Sequence, residues 1–296
     1  MSYVCDIKHS FVLFLNNYFM NNLKQFKIII GILMLIPLIS CSNSNPENAS
    51  AAVKGTSSET EAKAGTIPVK SGGATDTELE KAKKEGKAVF LVITGTGATN
   101  LNNAITIAKE ANGKVKKSVV VQMNRDEIAN SGLVVKFGIG AVTLPFILVI
   151  SPLGVPVAGV PLNQATSDLL VKSVPSPKQD LVLSALSEKK PVFVIVSKKT
   201  LTDKATVVAN CKTASAKAAS KPAIVEIDFD DAAEKDFLTQ IGVSSPVNNK
   251  SVTVVINVSS QITETFTDTP TVENLVTAVT KVIKTGGCCP GKKKCG

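Results

Sequence analysis

One stretch of the chain, residues 136–154 (KFGIGAVTLPFILVISPLG), constrains the fold more than any other part of the sequence. A glycine-punctuated loop leads to Thr143, Leu144 and Pro145, and five consecutive apolar residues then precede a Ser-Pro-Leu-Gly turn. A short apolar run between turn signals is typical of a strand that is buried on both faces. Pro145 is compatible with that strand because the first residue of a strand need not donate to the ladder. The stretch therefore predicts a central, buried strand.

Strands and helices alternate on both sides of this stretch, which indicates an α/β domain. Further strands are predicted at 88–94, 119–123 and 156–160, and helices at 103–111, 128–137 and 162–174. A short helix that ends near Lys84 opens the unit, and we expect this first domain to span residues 78–174.

This order of elements, together with Phe137-Gly138-Ile139 and Leu144-Pro145, resembles a thioredoxin domain, in which a residue–cis-proline pair opens a central strand. The cis state itself is not visible in a sequence, because most X–Pro bonds are trans. The resemblance implies a central mixed sheet flanked by helices. It also implies a groove beside the proline that binds extended peptide by backbone pairing. The residues expected to line this groove are Gly97, Ala98, Thr99, Asn100, Thr143, Leu144 and Pro145.

The redox chemistry of that family is missing from the first domain. In most members a W-C-x-x-C motif follows the first central strand, and here the loop GATNL at residues 97–101 stands in its place. The buried acid that assists the family's reaction is also replaced, since Val92 and Ile93 are apolar. Disulfide exchange needs a thiolate nucleophile. Residues 78–174 contain no cysteine, so the domain is predicted to be redox-inactive.

A similar pattern returns after a proline-containing linker at residues 174–177. Strands are predicted at 192–197, 223–228 and 252–258, and helices at 203–219, 229–240 and 271–284. We interpret residues 178–285 as a second, more divergent thioredoxin-like domain. The alternative is that strands and helices alternate here without repeating the first domain. Pro246 falls near the cis-proline position, although residues 247–251 separate it from the strand. Cys211 lies in a helical pattern, and two interpretations are open: a small core residue or a reactive thiol.

The N-terminal segment has the pattern of an export signal. Lys24 and Lys27 precede an apolar run at residues 28–39 that is short for a membrane span. Leu38-Ile39-Ser40-Cys41 resembles a bacterial lipobox, which implies cleavage after residue 40 and lipid attachment at Cys41. An uncleaved anchor, or an ordinary signal with a chance cysteine, is the alternative. We predict a lipoprotein signal peptide at residues 1–40, with Met20 as an alternative start.

The lipobox resemblance implies a place in the bacterial cell envelope, with the folded part facing the periplasm. Residues 41–77 are rich in Ser, Ala, Thr and Gly and have little apolar periodicity, which predicts a flexible tether. Ser42 stands where enteric bacteria place an aspartate to retain lipoproteins at the inner membrane. Its presence favours the outer membrane.

The composition excludes several classes of function. The net charge is +9, but Arg125 is the only arginine and there is no tryptophan. Side chains that hydrogen-bond to base edges or stack on bases are therefore scarce. We therefore expect no nucleic-acid partner. His9 is the only histidine and lies in the predicted signal, so the mature chain would lack one. This excludes catalysis by a histidine base and metal sites that use histidine.

The C-terminal tail, residues 286–296 (GGCCPGKKKCG), carries Cys288, Cys289 and Cys295. Three thiolates could bind Cu(I) or Zn(II). Alternatively, Cys295 could pair with Cys288 or Cys289 in a redox-active or structural disulfide, which export favours. The tail could also be an exposed end with no catalytic part.

These observations predict a lipid-anchored envelope protein that uses redox-inactive thioredoxin-like domains to bind another envelope protein or an extended peptide. The alternative from another class is a thiol-disulfide oxidoreductase, or a copper- or zinc-handling protein, that acts through the tail thiols. A nucleophilic hydrolase is disfavoured because there is no G-x-S-x-G motif and no histidine for the mature chain.

Overall fold

The computed structural model describes residues 73–245 and 249–283. In these ranges the chain forms two four-stranded sheets. The first contains β1 (Ala88–Thr94), β2 (Ser118–Asn124), β3 (Phe146–Ile150) and β4 (Pro156–Pro161), in the order β2-β1-β3-β4. The second contains β5 (Val192–Ser197), β6 (Ala223–Asp228), β7 (Val252–Ile256) and β8 (Ile262–Phe266), in the order β6-β5-β7-β8.

Helices accompany each sheet in the same sequence. Those of the first unit are α1 (Ala74–Lys84), α2 (Leu101–Lys114), α3 (Ser131–Phe137) and α4 (Ser167–Ser173). Those of the second unit are α5 (Pro177–Ser187), α6 (Lys204–Lys217), α7 (Lys235–Gln240) and α8 (Val272–Thr280). Short 3-10 turns at Ile128–Asn130, Leu162–Gln164 and Ala232–Glu234 precede α3, α4 and α7.

The strand β1 lies at the centre of the first sheet, where it pairs in parallel with β2 and antiparallel with β3. Its side chains alternate between two buried layers. Leu91 and Ile93 pack with Phe137 on one face, whereas Phe90 and Val92 pack with Ala104 on the other. A strand that is covered on both faces requires an unbroken apolar run, which is what the sequence AVFLVIT supplies.

The second sheet repeats this arrangement in detail. The strand β5 pairs in parallel with β6 and antiparallel with β7, and β7 pairs antiparallel with β8. The register of β3 with β4 shifts between Val149 and Ile150, and that of β7 with β8 shifts between Val255 and Ile256. The prediction of an α/β chain with two tandem thioredoxin-like domains is therefore confirmed, and the second β/α pattern is a true repeat.

Two elements of the second domain were not predicted. The helix α5 begins inside the stretch interpreted as a linker, because Ser176 forms a capping box with Gln179 and Pro177 occupies the first turn. The strand β8 is an edge strand whose residues are partly exposed, so it lacks a continuous apolar run. In the first domain α1 begins at Ala74, within the range predicted as tether.

Several predicted features lie outside the described residues. They include the signal peptide, most of the tether, Pro246, Cys41 and the tail with Cys288, Cys289 and Cys295. In the described part of the chain, no helix has both the length and the apolar character needed to cross a bilayer.

Candidate functional site

The loop after β1 and the loop before β3 meet at one edge of the first sheet. Ile93 and Phe146 are register partners in the neighbouring strands, so the residues that follow Ile93 lie beside those that precede Phe146. The two loops approach each other at Gly95, where an added Cβ atom would lie 2.9 Å from Leu144 Cδ1. The predicted groove residues 97–100 and 143–145 therefore belong to two loops on the same edge.

The loop before β3 contains a cis peptide bond between Leu144 and Pro145. Pro145 is buried, Leu144 is half-buried and Thr143 is exposed. Among the described residues, the backbone N–H and C=O groups of Thr143 and Leu144 make no hydrogen bond to another backbone group. An unpaired stretch of backbone beside a sheet can accept an extended peptide.

The loop after β1 holds the remaining predicted groove residues. Gly97 has φ of +80° and Asn100 has φ of +61°, conformations that favour glycine and asparagine. Asn100 precedes α2 but its side chain makes no capping hydrogen bond. Gly97, Thr99 and Asn100 are exposed, and Ala98 is half-buried. The side chains at the position where thioredoxin domains carry their two cysteines are thus small and mostly polar.

Two residues that the sequence analysis did not single out for this site, Arg125 and Asp126, hold the loops in place. The Asp126 carboxylate accepts a hydrogen bond from Thr96 N–H, and this bond, aided by the nearby Arg125, holds the pKa of Asp126 below its usual value. Arg125 donates to the carbonyl oxygen of Val142 at 2.8 Å, immediately before Thr143. Both residues follow β2, and the carboxyl ends of parallel strands lie at the same edge of a sheet. Their positions in the sequence therefore indicate that they lie near the loop after β1.

The corresponding edge of the second domain has a different structure. Val196 and Val252 are register partners there, as Ile93 and Phe146 are in the first domain, which places Ser251 in the position of Pro145. The strand register therefore sets Ser251 at that position, and Pro246, which the sequence analysis placed near it, lies outside the described residues.

A buried polar cluster occupies this position in the second domain. Ser251 is fully buried, and its N–H donates to Asp203 Oδ2 at 2.9 Å while its hydroxyl donates to Asp203 Oδ1 at 3.0 Å. Ser251 Oγ also lies 3.1 Å from Ser197 Oγ at the end of β5. The N–H group of Ser251 is thus already paired, whereas Pro145, at the same register position in the first domain, has no N–H group.

Cys211 is the free cysteine of the described residues, and it lies wholly buried on α6 among Phe193, Val207 and Leu275. Burial, with a smaller contribution from Glu226, raises the pKa of the Cys211 thiol to about 12. A thiol in this state is an unreactive core residue. Within the described ranges, no group of three or more His, Cys, Asp or Glu residues could hold a metal ion.

No family model matches the chain, and no curated protein matches it in sequence. Similar solved structures include the first two thioredoxin domains of Naumovozyma dairenensis Eps1p, at 10% identity, with 68% of this chain and 94% of that chain covered and a TM-score of 0.27. The same two domains of Saccharomyces cerevisiae Eps1p match at 11% identity, covering 69% and 96%, with a TM-score of 0.25.

A bacterial structure gives a comparable match. The NTD_N/C domain of the alkylhydroperoxide reductase AhpF from Enterococcus faecalis is 10% identical, with 69% of this chain and 98% of that chain covered and a TM-score of 0.22. The assignment of two thioredoxin-like domains rests on the strand order, pairing and connections described above.

Proposed function

We propose that this protein is a lipid-anchored envelope protein whose redox-inactive thioredoxin-like domains act as binding modules. The first domain binds extended peptide segments of another envelope protein. The lipobox at Cys41 and the tether that follows it support attachment to the periplasmic side of a membrane, with the outer membrane favoured by Ser42.

The observation that carries the peptide-binding proposal is the free backbone of Thr143 and Leu144 beside the buried Pro145. A peptide that adds to this edge gains main-chain hydrogen bonds without any contribution from thiols. Arg125 and Asp126 hold the two groove loops in place, so little ordering is needed when the peptide binds.

The absence of thiols from the groove supports binding over catalysis. Residues 97–100 contain no cysteine, and Cys211 is buried in the second domain with a thiol pKa of about 12. In the described part of the chain, no cysteine is placed to attack a disulfide.

The test uses the mature chain, residues 41–296, with Cys41→Ser so that it remains in solution, and a phage-displayed library of random peptides as the probe. Enriched peptides are then added to isotope-labelled protein, and amide hydrogen exchange is measured. We expect slower exchange at Thr143 or Leu144 by at least about tenfold, because a new hydrogen bond protects the N–H group. The backbone of Ser251, which is already paired, should not change.

A pair of glycine substitutions provides the matched control. In Gly95→Ala the new Cβ atom would lie 2.8 Å from Asp126 Oδ2 and 2.9 Å from Leu144 Cδ1, so the groove must distort and peptide binding should weaken. In Gly113→Ala the new atom meets nothing within 4 Å, and binding should be unaffected. Equal affinities for the two variants, or no protection at Thr143 and Leu144, would refute the proposal.

A second candidate function acts through the tail. Three cysteines within the last nine positions, at 288, 289 and 295, favour a thiol-disulfide oxidoreductase or a protein that handles Cu(I) or Zn(II). Free thiols are counted before and after reduction, and bound copper and zinc are measured by elemental analysis. Metal or insulin-reductase activity that disappears in Cys288→Ser, Cys289→Ser and Cys295→Ser variants would support the tail as the functional site.

A further inference from the structure

The two domains are joined by a short linker and contact each other through a turn. The helix α4 ends at Ser173 and α5 begins at Pro177. The turn between β3 and β4 in the first domain lies against the first turns of α5 in the second. There Leu153 N–H donates to Asp180 Oδ2 at 3.0 Å, which connects the first domain to the second.

The Asp180 carboxyl group occupies an unfavourable environment for a charge. Asp180 is only 3% exposed, and its second oxygen, Oδ1, is buried without a hydrogen-bond partner. Burial is the largest influence and raises the pKa of Asp180, while the Ser151 hydroxyl and Leu153 N–H oppose that rise. An unpaired, buried carboxylate oxygen costs free energy when the group is ionised.

Charged groups surround this contact without neutralising Asp180. The turn residues 151–155 contain no titratable side chain. Glu188, which follows α5, interacts with Lys190 and Lys83, and Glu234 accepts hydrogen bonds from Ser176 and Lys178. None of these charged groups contributes to the shift at Asp180. Four further charged side chains line a cleft beside Ser151 and Gly154; they are Glu80, Lys83, Lys87 and Lys136.

We propose that Asp180 is an acid-strengthened latch between the two domains, whose neutral carboxyl group holds the β3–β4 turn against α5 and whose ionised form loosens it. When the domains separate, Asp180 becomes solvated and regains the usual pKa of 3.8. The docked state binds the proton more tightly, so docking is strongest below pH 3.8 and weakens as the pH rises through the raised pKa. The latch sets how freely the second domain moves relative to the first.

The experiment measures amide hydrogen exchange by NMR on the mature chain with Cys41→Ser, between about pH 4 and pH 8. The Leu153 N–H group reports on docking, since its acceptor is in the other domain. We expect its protection factor to fall as the pH rises, by up to about tenfold for each unit of difference between the docked and separated pKa values of Asp180. In Asp180→Asn the protection should be high and independent of pH, because the side chain stays neutral.

The same turn supplies an internal control. Ser151 N–H donates to Val155 O at 2.8 Å within the first domain, so its protection should not follow the titration of Asp180. A Leu153 protection factor that does not change with pH in the unmodified sequence would overturn the proposal without any variant. A decrease of equal size at Ser151, or in Asp180→Asn, would show that the turn opens on its own and would overturn it as well.

Discussion

Replacing Asp203 with alanine tests the idea that a polar cluster closes the second domain at the position where the first has its groove. The carboxylate accepts two hydrogen bonds from Ser251, at 2.9 Å from its N–H group and 3.0 Å from its hydroxyl. Asp203 makes no capping bond to α6, so the loss is confined to this cluster. Ser251 is fully buried, and its N–H group would be left without a partner.

The expected loss is about 3 kcal/mol, because hydrogen bonds to charged acceptors contribute about 1.5–3 kcal/mol each and are not additive. This corresponds to roughly a 100-fold change in the unfolding equilibrium of the second domain. The predicted mature chain has neither tyrosine nor tryptophan. Urea unfolding is therefore followed by circular dichroism and by amide exchange in β7.

The control for this variant is Asp231→Ala. Asp231 accepts a hydrogen bond from Ala233 N–H at 3.0 Å in an exposed turn, and its loss should cost about 1 kcal/mol or less. Equal losses for Asp203→Ala and Asp231→Ala would refute the argument, since burial of Ser251 would then make no difference to stability. Amide exchange in β2 reports on the first domain. If it shows a loss of stability equal to that in β7, the effect of Asp203→Ala is not confined to the second domain, and that part of the argument is refuted.

Three further predictions concern individual side chains. Cys211, whose thiol pKa is about 12, should resist alkylation at about pH 8 until the chain is unfolded, and mass spectrometry that finds it modified in the native protein would contradict its burial. Asp126 has a lowered pKa, so its bond with Thr96 is fully present above the usual value of 3.8 and is lost only as the pH falls through the lowered pKa. A protection factor of Thr96 N–H, corrected for the intrinsic exchange rate, that falls as the pH rises above 3.8 would contradict this. Glu234→Gln should lower the free energy of unfolding by about 1–3 kcal/mol, because the buried carboxylate accepts hydrogen bonds from Ser176 Oγ and Lys178 N–H. In the same urea measurement, substitution of the exposed Glu273 by Gln should change it by almost nothing.

The sequence by itself determined the fold class and most of the strands, because their signals are local. The runs AVFLVIT and VFVIVS are continuous apolar segments with turn signals on either side, and the strands β1 and β5 match them. The helix α5 had a local signal as well, the capping box of Ser176 and Gln179, which the surrounding prolines obscured. The edge strand β8 had none, since an edge strand with partly exposed residues needs no apolar run.

The candidate site depended on tertiary structure. The contact of Gly95 with Leu144 and the bond between Asp126 and Thr96 join residues from separate loops, and the cis state of the Leu144–Pro145 bond is likewise not readable from the sequence. Ser251 could not be matched to Pro145 by residue type, because only the register of β5 with β7 defines that position. Asp180 likewise reads as an ordinary residue in the first turn of a helix. Its burial, the raised pKa that follows from it, and its bond to a turn of the other domain are properties of the folded chain that no local pattern indicates.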